Sequence, residues 1–467
     1  MAKIVGYSSG NSSDKSYQVD MCHGPLLGQI IRFVIPLIIS GVLQMLFHSA
    51  DLIVVGRFSS HQALAAVGAT ASLTMLLINI FIGLSIGTNV LVARYLGEQN
   101  RKDISRTVHT AIMTSIGGGA FLAGVGIACA KPMLQLMGTP EDILDMAALY
   151  MWIFFGGMPA VMLYNFGSAI LRAMGDTTRP FYFLLFAGVV NVILNLFFVI
   201  VCHWDVAGVA TATVISQAIS GVLILRVLYQ MRGPCRFKWQ NLRFKWKNMR
   251  ELLWIGLPAG FQSSCFSLSN ILIQSSINTF GSVAIAGVTA GGTLEMLSYV
   301  SHAAIGQAVV SFVGQNFGAK NFNRIKQSII ICTVLVVSWS MAVSATLLLF
   351  GRPMLAIFNT DPEVITFGMR RFYCTLPLLF VCAAMEVWTG ALRGMGHSVS
   401  PTVFTLFCVC FLRVVWLYTV FVWYPTLEII LISYPFTWII NTSGILWLLK
   451  RSFRKEKLMA AASANSV

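Results

Sequence analysis

Apolar segments of about twenty residues or a little more recur along the chain, separated by short polar breaks. They run over residues 30–55, 66–95, 107–130, 147–171, 180–202, 207–229, 251–279, 284–312, 327–350, 364–391, 401–424 and 427–449. A helix needs about 20 apolar residues to cross ~30 Å of hydrocarbon, so the pattern predicts twelve transmembrane helices. The runs are continuous. Barrel strands would instead show segments of about ten residues with alternating polarity. The expected fold class is an all-α integral membrane protein.

Composition agrees. Of 467 residues, 57% are hydrophobic and 10% charged. A water-facing protein carries about a quarter charged residues, so an ordinary cytosolic enzyme, a disordered chain and a nucleic-acid-binding domain are excluded. Residues 1–24 are polar and contain no apolar core before a small-residue cleavage site, so no cleaved signal peptide is expected.

The net charge of +15 acquires meaning once the cations are placed. With an even number of spans, one side collects Lys3, Lys15, Arg32, Arg94, Arg101, Lys102, Arg106, Arg172 and Arg179, then the cations of residues 226–250, and finally Lys320, Arg324, Lys326, Arg393 and those of 450–457. The other side has only Arg57, Lys131, Arg352, Arg370 and Arg371. Cytoplasmic loops carry the Lys/Arg excess, which predicts that both termini are cytoplasmic. The linker 231–250 interleaves cations with Phe237, Trp239, Phe244 and Trp246. That composition suits a segment lying on anionic headgroups better than a nucleic-acid surface.

The chain repeats itself. Residues 171–180 read L-R-A-M-G-D-T-T-R-P and residues 392–401 read L-R-G-M-G-H-S-V-S-P. The same spacing aligns Pro132-Met133-Leu134 with Pro353-Met354-Leu355, Leu96-Gly97 with Phe317-Gly318, and Asn100 with Asn321; Pro36 and Pro258 correspond one residue further on. Two copies of a six-helix unit follow. We therefore expect an N-terminal tail (1–29), an N-lobe (30–230), the basic linker (231–250), a C-lobe (251–450) and a C-terminal tail (451–467). Six is even, so both copies point the same way, related by a pseudo-two-fold axis along the membrane normal. Rocking of two such halves about a central cavity is the geometry of a secondary transporter.

Ionisable groups inside spans cost about 2.5–3.5 kcal/mol each on insertion scales and are functional candidates by default. Four stand out: Asp51, Glu295, Glu386 and Arg413. Asp51 could snorkel to the interface or take up a proton or Na⁺. Glu295 is deeper and favours a place in a substrate cavity. Glu386 and Arg413 are candidates for a structural ion pair, Glu386 being also seven residues before Arg393. Arg413 could equally hold a lipid headgroup, a structural role being the simpler reading. Asn191 and Asn195 put two amides on one helix face. Tyr164, Asn165, Thr213 and Gln217 are further polar groups that would line a cavity or bond helix to helix.

Other patterns add little. The ten cysteines lack any C-x-x-C pair and read as small buried hydrophobes. G-Q-N-F-G-A-K-N at 314–321 does not satisfy G-x-x-x-x-G-K-[ST]. No nucleotide-binding domain or subunit is expected, which leaves an ion gradient as the energy source. Gly83 and Gly87 read as close helix packing. The sequons at Asn11 and Asn441 fall on a cytoplasmic tail and within a span.

Together the motifs resemble the MATE family, the multidrug and toxic compound extrusion transporters, over nearly all of residues 28–450. The resemblance is carried by Pro36, H-S-A-D-L-I-V-V-G-R-F at 48–58, A-L-A-A-V-G at 63–68, G-T-N-V-L-V-A-R-Y-L-G at 87–97, the two L-R-x-M-G segments, A-G-V-A-T-A-T-V-I-S-Q at 207–217 and V-G-Q-N-F-G-A at 313–319. It implies efflux of cationic lipophilic compounds in exchange for H⁺ or Na⁺, with no other cofactor. It also implies a cation-coupling role for Asp51, with Na⁺ there the one metal to consider, and places Glu295 with a Glu of many bacterial members. Two positions depart from the family pattern. The span-five pair, usually Asn then Asp, is Asn191 and Asn195, which weakens the case for a two-carboxylate relay. The common Asn three before the span-one Asp is His48, which could titrate near neutral pH and substitute in a relay, or equally hold a structural hydrogen bond. A lipid-linked saccharide flippase is the rival reading, but it calls for a strongly cationic cavity.

Overall fold

The computed structural model describes residues 17–242 and 244–465. Lys3, Lys15 and the Asn11 sequon of the expected N-terminal tail, and Arg243 of the linker, lie outside the described residues. Among the described residues there is no strand.

Each of the twelve apolar runs lies in a helical segment. In order these are Leu26–Phe58, His61–Gly97, Arg101–Leu136, the pair Glu141–Gly156 and Met158–Ala173, Thr178–Val201, Asp205–Gln230, Trp246–Ile277, Ser282–Gly318, Phe322–Ala356, Pro362–Gly394, Val399–Trp423 and Leu427–Asn465. Helices satisfy every backbone group within the segment, as hydrocarbon requires. Ten of them are long and apolar enough to cross a membrane, and the pair makes eleven. The seventh, Trp246–Ile277, is diluted by Gln262, Ser263, Ser264, Ser267 and Ser269; Gln262, Ser264 and Ser269 turn inward and are buried. Large apolar side chains such as Phe121, Leu349 and Phe350 are exposed, the inverse of a water-soluble surface and suited to lipid.

The chain divides into two compact units. One is Ile31–Leu257 with the residues before Cys22, and the other is Pro258–Val467 with Cys22–Ile30. The linker packs into the first unit. Phe237 and Cys235 are buried, and the Phe237 ring stacks on His109 at 5.4 Å. The Lys238 amide donates to His109 Nε2 at 3.1 Å. Trp239, Phe244 and Trp246 stay exposed. In the second unit, the last helix continues as far as Asn465, so the described part of the C-terminal tail is helical.

The repeated motifs mark turns rather than spans. At the end of the fourth span, Gly175 has φ +91°; its N–H bonds the Arg172 carbonyl at 3.0 Å, and the Asp176 N–H bonds that of Leu171 at 2.9 Å. At the end of the tenth, Gly396 has φ +88°, with the same two bonds to Arg393 (2.8 Å) and Leu392 (2.9 Å). This is the helix stop in which a left-handed residue closes the last carbonyls, and it explains why glycine recurs there. The second and eighth spans end alike. Gln99 and Lys320 both have φ +56°, and the following Asn100 and Asn321 cap the next helix by accepting from Asp103 and Arg324 N–H.

The broken spans also correspond. The fourth bends by 46° at Gly157, ahead of Pro159, and the tenth is interrupted by a 3₁₀ turn, Leu376–Leu378, around Pro377. Close helix packing at Gly83 and Gly87 is present. A Cβ on Gly87 would stand 2.5 Å from the Leu252 carbonyl oxygen, and one on Gly256 would stand 3.0 Å from that of Gly83.

Candidate functional site

In the first unit, Asp51 of the first span is half-buried. The i, i+4 spacing of the fifth span places Asn191 and Asn195 on one face, and both are buried. The Asn195 amide donates to Asp51 Oδ1 and, at 3.3 Å, to Asn191 Oδ1. Asn191 in turn donates to Thr213 Oγ1 of the sixth span at 3.3 Å, and Thr213 also hydrogen-bonds Asp51. Just after Asn195 the helix loosens into a π-turn, Phe197–Val201, a distortion common at functional sites.

The charge balance of this cluster is notable. No cation pairs with Asp51 among the described residues, and Asn195 Oδ1 is buried without a hydrogen-bond partner. A carboxylate, an orphan amide oxygen and a hydroxyl form a hard oxygen set able to receive H⁺ or a small cation.

The other candidates of this unit stand apart. His48 is exposed and makes none of these hydrogen bonds. The Tyr164 hydroxyl lies 3.5 Å from the Pro180 carbonyl oxygen, and Asn165 donates to Val161 O of its own helix at 2.8 Å. Gln217 is half-buried one turn beyond Thr213. Of the four expected cavity groups, only Thr213 joins Asp51.

In the second unit, Glu295 does not face a cavity as a free charge. It is fully buried; its Oε2 accepts from Arg371 Nη2 at 2.8 Å and Nε at 3.2 Å, and its Oε1 from Thr375 Oγ1 at 2.5 Å. Gly291 and Gly292 make the groove for Arg371, since Cβ atoms there would each stand 3.2 Å from its side chain. By charge placement Arg371 falls with the outer-side cations. Its four-residue spacing to Thr375 is the signal of the pairing, because it puts a cation and a hydroxyl on one helix face.

Glu386 and Arg413 do not form the ion pair considered for them. Arg413 Nε donates to Thr437 Oγ1 at 3.2 Å and Nη1 to Ser269 Oγ at 3.4 Å, and the guanidinium lies 4.5 Å from the Tyr434 ring centroid. Glu386 instead lies against Gly306. Arg393 reaches Gln262 Oε1 at 2.9 Å. The helix faces on which Glu386 and Arg413 sit are already committed to other neighbours.

The MatE family model matches the chain twice, over residues 36–197 and 258–419, starting at the aligned Pro36 and Pro258. A probable multidrug resistance protein of Bacillus subtilis, YoeA, is 30% identical over 387 residues, 81% of this chain and 83% of that protein. An FAD transporter of Shewanella oneidensis is 24% identical over 397 residues, 82% of this chain and 86% of its own. The crystal structure of a MATE protein in the bent conformation superposes with a TM-score of 0.87 at 22% identity, covering 95% of this chain and 99% of that one. The chain belongs to the MatE family of multidrug and toxic compound extrusion transporters.

Proposed function

We propose that the protein is a secondary active antiporter of a bacterial inner membrane, with both termini cytoplasmic, which exports cationic lipophilic compounds in exchange for H⁺ or Na⁺. The observation that carries this reading is Asp51, a carboxylate within a span whose described hydrogen-bond partners, Asn195 and Thr213, are neutral. Its counter-charge must come from a mobile species. While ionised, Asp51 favours a cationic cargo within the same half. When H⁺ or Na⁺ loads from outside, the charge is neutralised and the cargo is released. Asn191 and Asn195 hold the carboxylate in place. The two halves give alternate access, and an inward gradient supplies about 2.3 kcal/mol per charge per 100 mV. The names of relatives such as YoeA support a drug-like cargo.

The test is transport by purified protein in vesicles, comparing drug-triggered collapse of a pH gradient with collapse of a Na⁺ gradient. Drug should collapse one of them, and Asp51→Asn should abolish that response. Export by the variant with unchanged ion dependence would reject the mechanism.

A further inference from the structure

The repeat gives the Asp51 cluster a counterpart of opposite charge. Asp51, Asn191 and Thr213 come from the first, fifth and sixth spans of one unit. In the other unit, the seventh, eleventh and twelfth spans supply Ser269, Arg413 and Thr437 with Tyr434. Arg413 stands as far from Asn191 in the sequence as Pro258 does from Pro36. The second nest is as well built as the first. Arg413 is only 2% exposed, and Ser269 and Thr437 are buried. Both hydroxyls spend their own protons on backbone oxygens, Ser269 on Val409 O at 3.0 Å and Thr437 on Ser433 O at 2.9 Å. Their lone pairs are thereby fixed toward the guanidinium. Val409 lies in a π-helical stretch, Leu406–Phe411, echoing the π-turn beside Asn195.

The decisive feature is what Arg413 lacks. Glu295 of this unit is taken by Arg371 and Thr375, and Glu386 lies against Gly306. No carboxylate pairs with Arg413 among the described residues. Its polar contacts use Nε and Nη1, and Nη2 has no hydrogen-bond acceptor there. Guanidinium cannot shed its charge and presents its donors as a planar fork matched to carboxylate and phosphate. A guanidinium in a membrane interior without an anion calls for one from outside the chain.

We propose that the C-terminal unit carries a second ligand site at Arg413 that binds an oxyanion, the carboxylate or phosphate of a cargo molecule or of a lipid headgroup. This goes beyond the cation-exchange reading and does not depend on it, because Asp51 belongs to the other unit. The Ser269 and Thr437 hydroxyls steer the guanidinium, and Tyr434 covers one face of it.

The experiment measures binding alone. Fluorescein and rhodamine 6G share a xanthene ring system and differ in charge, so fluorescence anisotropy with each reports the sign the site prefers. Full-length protein is placed in nanodiscs of phosphatidylcholine, without and with phosphatidylglycerol. Wild-type protein should bind fluorescein in phosphatidylcholine discs. Arg413→Gln should weaken this about tenfold or more, the size of a lost charged hydrogen bond, and leave rhodamine 6G within twofold. Arg413→Lys keeps the charge but not the fork and should fall between; it also provides the comparison should Arg413→Gln not fold. Displacement of fluorescein by phosphatidylglycerol supports the site with a headgroup as occupant, and no displacement supports an anionic cargo. Equal fluorescein affinity in wild-type and Arg413 variants, or no fluorescein binding where rhodamine 6G saturates, overturns the proposal. Absence of fluorescein binding by wild-type protein whose Asp51-dependent export is intact would reject this site alone and leave the export mechanism standing.

Discussion

Asn195 donates its side-chain amide to the Asp51 carboxylate, tying the fifth span to the first. The amide cannot ionise, so it positions the acid without competing for its proton or cation. Asn195→Ala should keep the fold and cut ion-coupled transport about tenfold, on the scale of one charged hydrogen bond. Asp51→Asn should remove coupling outright. Initial export rates at matched protein levels in vesicles distinguish the two.

The Glu295–Arg371 pair should behave as structure. Breaking a buried pair strands one charge and costs about 3–5 kcal/mol, whereas replacing both partners costs less. Glu295→Gln and Arg371→Met should each lower the unfolding midpoint in detergent strongly, and the double variant should recover part of the loss. Strictly additive losses would show that the two side chains do not act together.

The two left-handed glycines should differ in tolerance. A Cβ on Gly396 meets nothing within 4 Å, so Gly396→Ala carries only the left-handed backbone cost of about 1–2 kcal/mol. At Gly175 the same atom would stand 2.3 Å from the Val19 carbonyl oxygen. Gly175→Ala should therefore be clearly less stable than Gly396→Ala in thermal unfolding.

Cys235, outside the spans, is sealed within the linker fold, and burial pushes its thiol up to about 12. The thiolate is the reactive form. Maleimide should leave Cys235 unlabelled at neutral pH in folded protein and label it after denaturation, as read by peptide mass spectrometry.

The spans were legible because hydrocarbon tolerates long uninterrupted apolar runs and little else. The duplication was legible because helix stops demand particular residues. The interior chemistry was only half legible. A carboxylate within a run announces itself, and Asp51 and Glu295 did. Whether it is free or paired depends on the neighbouring helix. Arg370 and Arg371 are adjacent in sequence, yet one helical step of about 100° separates an exposed partner of Glu428 at 3.2 Å from the half-buried partner of Glu295. His48 shares a helix with Asp51 but is exposed and outside its hydrogen-bond cluster, which spacing alone did not settle.

The matching turns at Gln99 and Lys320 bear on the history of the chain. Glycine would adopt φ +56° at little cost, yet both copies use another residue there. Two independent choices of the same awkward solution are a poorer explanation than one ancestral choice inherited twice. The junctions thus keep a common backbone turn although the residue that makes it differs. Asp51 and Arg413 set opposite charges into two halves that share the same junction geometry.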